Sequence, residues 1–165
     1  MSKVYSIKAV QKIPVDISVA WSFFSNPRNL QNITPPDVDF KVISEYVDDS
    51  MYPGQVIEYR LKPLWGIPFY WMTEITHVRD KKFFVDEERF GPYSFWHHQH
   101  HFTVIEGGVE MTDIVHYKVA GWFLGDVLNS LIIRKQLRKI FSFRFKATEE
   151  RFGNWPGQTE NIAIS

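Results

Sequence analysis

Apolar and polar residues alternate with a period near two over the first two thirds of the chain and near 3.6 over the last third, so the pattern predicts strands followed by a helix. Tyr5, Ile7, Ala9 and Ile13 alternate with Ser6, Lys8 and Lys12, a strand that Pro14 ends. Asp16 then caps a short helix carrying Val19, Ala20, Trp21, Phe23 and Phe24, and Asn26-Pro27 repeats the start signal for a second. Thr34-Pro35-Pro36 breaks that one, because proline cannot donate and the residue before it avoids helical dihedrals. Strands are predicted over Phe40–Ser44, Gln55–Leu61, Pro68–Val78, Lys82–Phe90, Tyr93–Glu106 and Val109–Val119, joined by turns at Pro53-Gly54, Arg79-Asp80, Gly91-Pro92 and Gly107-Gly108. Such short connections admit only an antiparallel meander. From Leu124 to Phe152 apolar residues recur at three- and four-residue steps, an amphipathic helix closed by Gly153. Its basic residues Arg134, Lys135, Arg138, Lys139 and Lys146 are expected to form a solvated face. Asn154–Ser165 lacks periodicity and is expected to lie loose or drape the surface.

This order predicts an α+β fold in which a curved antiparallel sheet of about seven strands grips the last helix. One domain over residues 1–153 with a tail over 154–165 follows. At 165 residues the chain can bury roughly 70% of its unfolded surface. Its 19 basic and 19 acidic residues cancel, which argues against nucleic acid or another polyanion as partner. The absence of cysteine removes disulfides and thiolate chemistry. With no signal peptide or long apolar run at hand, stable membrane insertion is not expected and a cytoplasmic setting is. Aromatics reach 16% of the chain, and large rings that do not interlock leave shaped gaps.

The chemistry concentrates in Trp96-His97-His98-Gln99-His100-His101-Phe102 and in Met111-Thr112-Asp113 beyond the next turn. Treating Gly107-Gly108 as a two-residue turn sets Phe102 opposite Asp113, His100 opposite Val115 and His98 opposite Tyr117. The same count at Gly91-Pro92 sets Phe83, Val85 and Glu87 opposite His100, His98 and Trp96. Trp96, His98, His100, Phe102, Met111, Asp113, Val115 and Tyr117 then share an apolar inner face with Phe83, Val85, Glu87 and Tyr59. Ile140, Phe141 and Arg144 of the helix look onto it. His97, Gln99, His101, His116 and Lys118 fall on the opposite, polar face. For Pro68–Val78 a two-residue turn points Tyr70, Met72 and Glu74 inward; a three-residue turn points Trp71, Thr73 and Ile75 inward and gives the better pattern.

A carboxylate beside an imidazole fixes its tautomer and raises its pKa, so Asp113, His98, His100 and Tyr117 are candidates to orient an oxygen-bearing ligand. The same residues could serve an enzyme of cyclase, dehydratase or hydrolase type, or Asp113 and His100 could simply satisfy each other as a buried pair. His98 and His100 with Asp113 also suit a metal, but histidines on one strand face more often pack than coordinate, so no metal and no cofactor are expected. Arg144 could clamp an anionic ligand group or pair with Glu87 or another sheet carboxylate. Trp21, Trp65, Trp71 and Trp122 read as packing or rim residues. No Gly-x-Ser-x-Gly elbow and no phosphate-cradling loop occurs.

The segment Val15-Asp16-Ile17-Ser18-Val19-Ala20-Trp21-Ser22-Phe23-Phe24-Ser25-Asn26-Pro27 after the first strand, with this order of elements, resembles the START-like superfamily of birch-pollen-allergen and polyketide cyclase/dehydrase proteins. Gly91-Pro92-Tyr93, Trp96, His98, His100, Phe102, Met111, Asp113 and Tyr117 look like its bacterial branch of small ligand-binding proteins, sometimes called cell-division-inhibitor-like. The resemblance covers Tyr5 to Phe152 and implies a helix-grip fold whose internal cavity takes a hydrophobic or amphipathic, lipid-like or polyketide-like molecule, as carrier or sensor. A regulatory protein-interaction role on the polar face or the basic helix surface is the third possibility. The sequence leaves the oligomeric state open.

Overall fold

The computed structural model describes residues 3–45, 48–64, 66–120, 127 and 132–165. β1 (Tyr5–Ile13) leads into α1 (Ile17–Phe24) and two 3-10 segments (Pro27–Ile33 and Pro36–Val38). The short β2 (Lys41–Val42) precedes β3 (Gln55–Leu64), β4 (Ile67–Arg79), β5 (Phe83–Phe90), β6 (Tyr93–Ile105) and β7 (Gly108–Val119). α2 (Arg134–Phe152) and β8 (Asn161–Ile164) complete the chain. All eight strands form one curved, unclosed antiparallel sheet in the order β2-β3-β4-β5-β6-β7-β1-β8.

The predicted caps form as the residue types require. Asp16 accepts the Ser18 backbone N–H at 2.7 Å and opens α1; Asn26 accepts that of Arg28 at 3.0 Å. Leu137, Phe141, Phe145 and Thr148 are the buried stripe of α2, and the Gly153 N–H donates to the Glu149 carbonyl to end it. The predicted start of this helix, residues 124–126 and 128–131, and the side chains of Trp65 and Trp122 lie outside what is described.

The tail is not loose. Asn161–Ile164 pairs with β1 as an eighth strand, and Arg134 and Arg138 donate to the carbonyls of Ile164 and Ile162. Two of the basic residues expected to be solvated therefore hold the tail, and Lys139 pairs with Asp37, while Lys135 and Lys146 are exposed. Four residues are too few for an alternating pattern to register in the sequence, and only the free edge of β1 gives them a partner.

Three apolar clusters fill the grip. Trp21, Phe23 and Phe24 of α1 pack on Phe84, Phe102 and Met111; Leu137 and Phe141 of α2 pack with Tyr5, Val115 and Tyr117; Ile57, Tyr59, Leu61 and Ile75 gather with Val38.

Two hairpins differ from the predicted register. The last turn is Glu106-Gly107, with Gly108 already in the strand opposite Ile105, so Phe102 faces Met111, His100 faces Asp113, His98 faces Val115 and Trp96 faces Tyr117. The two glycines serve different ends. Gly107 takes a positive φ of 82° in the turn, whereas a Cβ on Gly108 would lie 2.1 Å from the Ile13 carbonyl oxygen. The slip is two residues, so faces are kept and only partners change. The preceding hairpin is shifted by one residue, so that Asp86 pairs with His98 and Phe84 with His100, which turns Phe83, Val85 and Glu87 to the outer face. Irregularities flank it on both sides, an extra residue of β6 against β7 between Tyr93 and Phe95 and an extra residue of β5 against β4 between Glu88 and Phe90. Between β4 and β5 Arg79 pairs with Phe83 across three residues, with Lys81 at φ 55°, and Trp71, Thr73 and Ile75 point inward as the better-patterned alternative requires.

Candidate functional site

Between sheet and α2 lies a cavity of about 380 Å³. Tyr59 and Leu61 of β3, Phe69, Trp71, Thr73 and Ile75 of β4, and Tyr93 and Trp96 of β6 form one wall; Gln136, Leu137, Ile140, Phe141 and Arg144 of α2 form the other; Leu30, Thr34 and Val38 of the 3-10 segments also line it. Trp71 meets Trp96 edge-on at 5.3 Å and Tyr93 lies 4.9 Å from Trp96, so rings brace one another around the space instead of filling it. The Trp71 indole N–H is satisfied by Thr73 Oγ1 at 3.0 Å.

The cavity has one charged corner, built from Asp86, His98, His100 and Arg144 on its wall and Asp113 behind them. The two imidazoles lie 3.7 Å apart, clamped between two carboxylates. On the cavity side His100 Nε2 donates to Asp86 Oδ2 at 2.9 Å, and His98 Nδ1 lies 3.5 Å from the same oxygen. On the far side His98 Nε2 donates to Asp113 Oδ1 at 3.1 Å, and His100 Nδ1 lies 2.7 Å from that oxygen in ion-pair contact, off the line of a hydrogen bond. Phe84 stacks on His100 at 4.1 Å and Phe141 meets His98 edge-on, so both rings are fixed by packing as well as charge. Arg144 is 3.9 Å from Asp113 Oδ2, and its Nε has no hydrogen-bond partner among the described residues.

Burial lowers the proton affinity of both histidines, but His100, within 3 Å of each carboxylate, is held above its ordinary value by Asp113 and then Asp86. His98 is held below, by burial and by the charge on His100. Burial would raise Asp113 and Asp86, yet the imidazoles outweigh it and keep both carboxyls below the usual range. Burial pushes the Tyr59 and Tyr93 hydroxyls up, so both stay protonated. Next to these residues in the chain, Glu88 accepts the Tyr93 backbone N–H at 2.9 Å, and burial pushes its carboxyl up to about 7.

Of the residues read from the sequence, Trp96, His98, His100, Tyr59, Ile140, Phe141 and Arg144 line the cavity. Asp113 supports the histidines from behind. Phe102 and Met111 share the inner face but are covered by α1, and Val115 and Tyr117 pack with α2; Tyr117 is opposite Trp96, not His98. Phe83, Val85 and Glu87 are on the outer face, where Phe83 meets His101 and Glu87 pairs with His97 and Arg89. Arg144 does not reach Glu87. Asp86 and Tyr93 were missed, because Phe83-Phe84-Val85 is apolar on both faces and Asp86-Glu87-Glu88 acidic on both, leaving the strand no preferred side.

Solved structures share this architecture. A START superfamily protein from Mycobacterium smegmatis aligns with a TM-score of 0.64 at 11% identity, over 90% of this chain and 97% of its own. The ginseng major latex-like protein 151 from Panax ginseng aligns at 0.65 with 13% identity, over 90% and 97% of the two chains. The fold is START-like. Protein CV1439 from Chromobacterium violaceum aligns at 0.68 with 10% identity, over 91% and 99%. No family model and no curated protein sequence matches the chain, so the START-like likeness rests on the fold. Among the described residues no helix is long and apolar enough to cross a membrane.

Proposed function

We propose that the protein binds a hydrophobic or amphipathic small molecule inside the grip, as a cytoplasmic carrier or sensor. The observation that carries this reading is an apolar, aromatic-lined cavity of about 380 Å³ with a single charged corner, the division of labour of a small-molecule site. The corner also bears on the kind of ligand. Asp86 and Asp113 are held toward the ionised form, His98 toward the neutral form and His100 toward the charged form, so His100 and Arg144 set positive charge against the two carboxylates. A neutral hydroxyl or carbonyl suits it better than a second carboxylate beside Asp86. Arg144, which lines the cavity beside these groups, is the candidate donor for that oxygen.

The test is displacement of an apolar fluorophore, N-phenyl-1-naphthylamine, by decanol, 2-decanone and decanoate at pH 7.5. The neutral compounds should displace it at least tenfold more effectively than decanoate, and Ile140→Trp, which sets a bulky ring into the space, should weaken fluorophore uptake while the protein stays folded. Uptake that is unchanged in Ile140→Trp, or absent from the parent protein, would sink the reading.

A further inference from the structure

We infer that Asp86, His98 and His100 form a binding site for one first-row divalent metal ion, with Asp113 fixing both imidazoles from behind and the remaining coordination positions open to the cavity. The ligand set assembles from the two hairpin registers. A sequence-based set would use Asp113 as the carboxylate, but Asp113 Oδ1 engages His98 Nε2 and His100 Nδ1, on the side away from the cavity. The other two nitrogens, His98 Nδ1 and His100 Nε2, are turned toward Asp86 Oδ2.

Distances fit an ion at the centre of these three atoms. Metal bonds to nitrogen and oxygen of about 2.0–2.2 Å leave neighbouring ligand atoms about 3.0–3.5 Å apart. Asp86 Oδ2 is 2.9 Å from His100 Nε2 and 3.5 Å from His98 Nδ1, and the three ligand atoms lie within 4.8 Å of one another.

The second layer fits too. A metal-bound histidine keeps its orientation by donating its other N–H to a carboxylate, and here one buried carboxylate lies against the other nitrogen of both rings. A buried pair that only satisfied itself would need one aspartate, whereas this corner clamps its imidazoles from both sides. With the ion in place, both rings are neutral, His98 donates its Nε2–H to Asp113 while His100 Nδ1 lies 2.7 Å from the same oxygen, and the cation takes the position between imidazole and Asp86 that a proton holds otherwise. Two imidazoles and one carboxylate favour Zn, Co or Fe over Mg or Ca, which prefer all-oxygen shells. Because Asp86, His98 and His100 all line the cavity, a hydroxyl or carbonyl of a bound molecule could reach the ion as a further ligand.

The test uses the full chain, dialysed against chelator, titrated with CoCl₂ and followed by visible absorption, with no organic ligand present, so that its outcome is independent of the cavity reading above. One Co(II) per chain is expected, with ligand-field bands, displaced by Zn(II) but not by excess Mg(II). Asp86→Asn and His100→Gln should each weaken binding at least tenfold, Asp113→Asn by roughly 10–100-fold, and His97→Gln on the outer face should leave it unchanged. Proton NMR of the parent Co(II) protein guards against variants that fail to fold: two hyperfine-shifted imidazole N–H signals, lost in D₂O, are expected. Binding of no ion, signals from no imidazole or from one alone, displacement by Mg(II), or full affinity in a folded Asp86→Asn protein would overturn the proposal.

Discussion

Strand β6 carries two histidine pairs built from the same residues at alternate positions, and they live in different chemistry. His98 and His100 are buried between Asp86 and Asp113, packed by Phe84 and Phe141. His97 and His101 are half-buried on the other face, where His97 contacts Glu87 at 2.9 Å and Gln99 lies beside both. Charges near water are screened and their pairing gains little; charges taken from water must be paired or they cost several kcal/mol. A side chain's role here follows from which way the pleat turns it, not from its type.

The comparison breaks most visibly on the carboxylates. Asp113→Ala removes one of the two carboxylates that clamp the buried His98–His100 pair and should destabilise the protein by about 3 kcal/mol in urea unfolding, whereas Glu87→Ala outside should cost under about 1 kcal/mol. Equal effects would show that the inner network is not the stabilised one. Next comes the register that separates the faces. Gly108→Ala drives a methyl into the Ile13 backbone and should cost about 2–3 kcal/mol, against about 1 kcal/mol for Gly107→Ala, which strains only a turn dihedral.

Acidity sharpens it further. His100 is raised above its ordinary 6.5, so its contribution to stability is present below that pH and is lost as pH rises through the folded value. His98 is lowered, so its contribution is present above 6.5 and is lost as pH falls through its folded value. His100→Gln should remove the loss of stability above pH 6.5 from a thermal-melt profile, and His98→Gln the loss below it. A further step belongs to Glu88. Its folded pKa of about 7 lies above the ordinary 4.5, so stability drops between those values as it ionises. Glu88→Gln keeps the oxygen that accepts the Tyr93 N–H, and should flatten that step with a gain in stability at pH 8.

Much of this molecule is written locally. The period-two and period-3.6 stretches, the caps at Asp16 and Asn26, the prolines after Thr34 and the glycine after Phe152 specify strands and helices from neighbouring residues alone, and with them the helix-grip order. Parity along β6 likewise put His98 and His100 on one side and His97 and His101 on the other, since alternate residues of a strand cannot share a face with their neighbours. Tertiary structure decided what those histidines meet. A one-residue shift of β5 against β6 turned Asp86 inward and Glu87 outward, and a turn one position earlier than Gly107-Gly108 suggests set Asp113 directly across from His100. Both depend on close approaches between strands distant in sequence, such as Gly108 against Ile13, and the same holds for the tail, which becomes a strand only because β1 offers an edge. Local patterning determines which elements form; the register between them, set by backbone contacts no single segment contains, determines which side chains become a site.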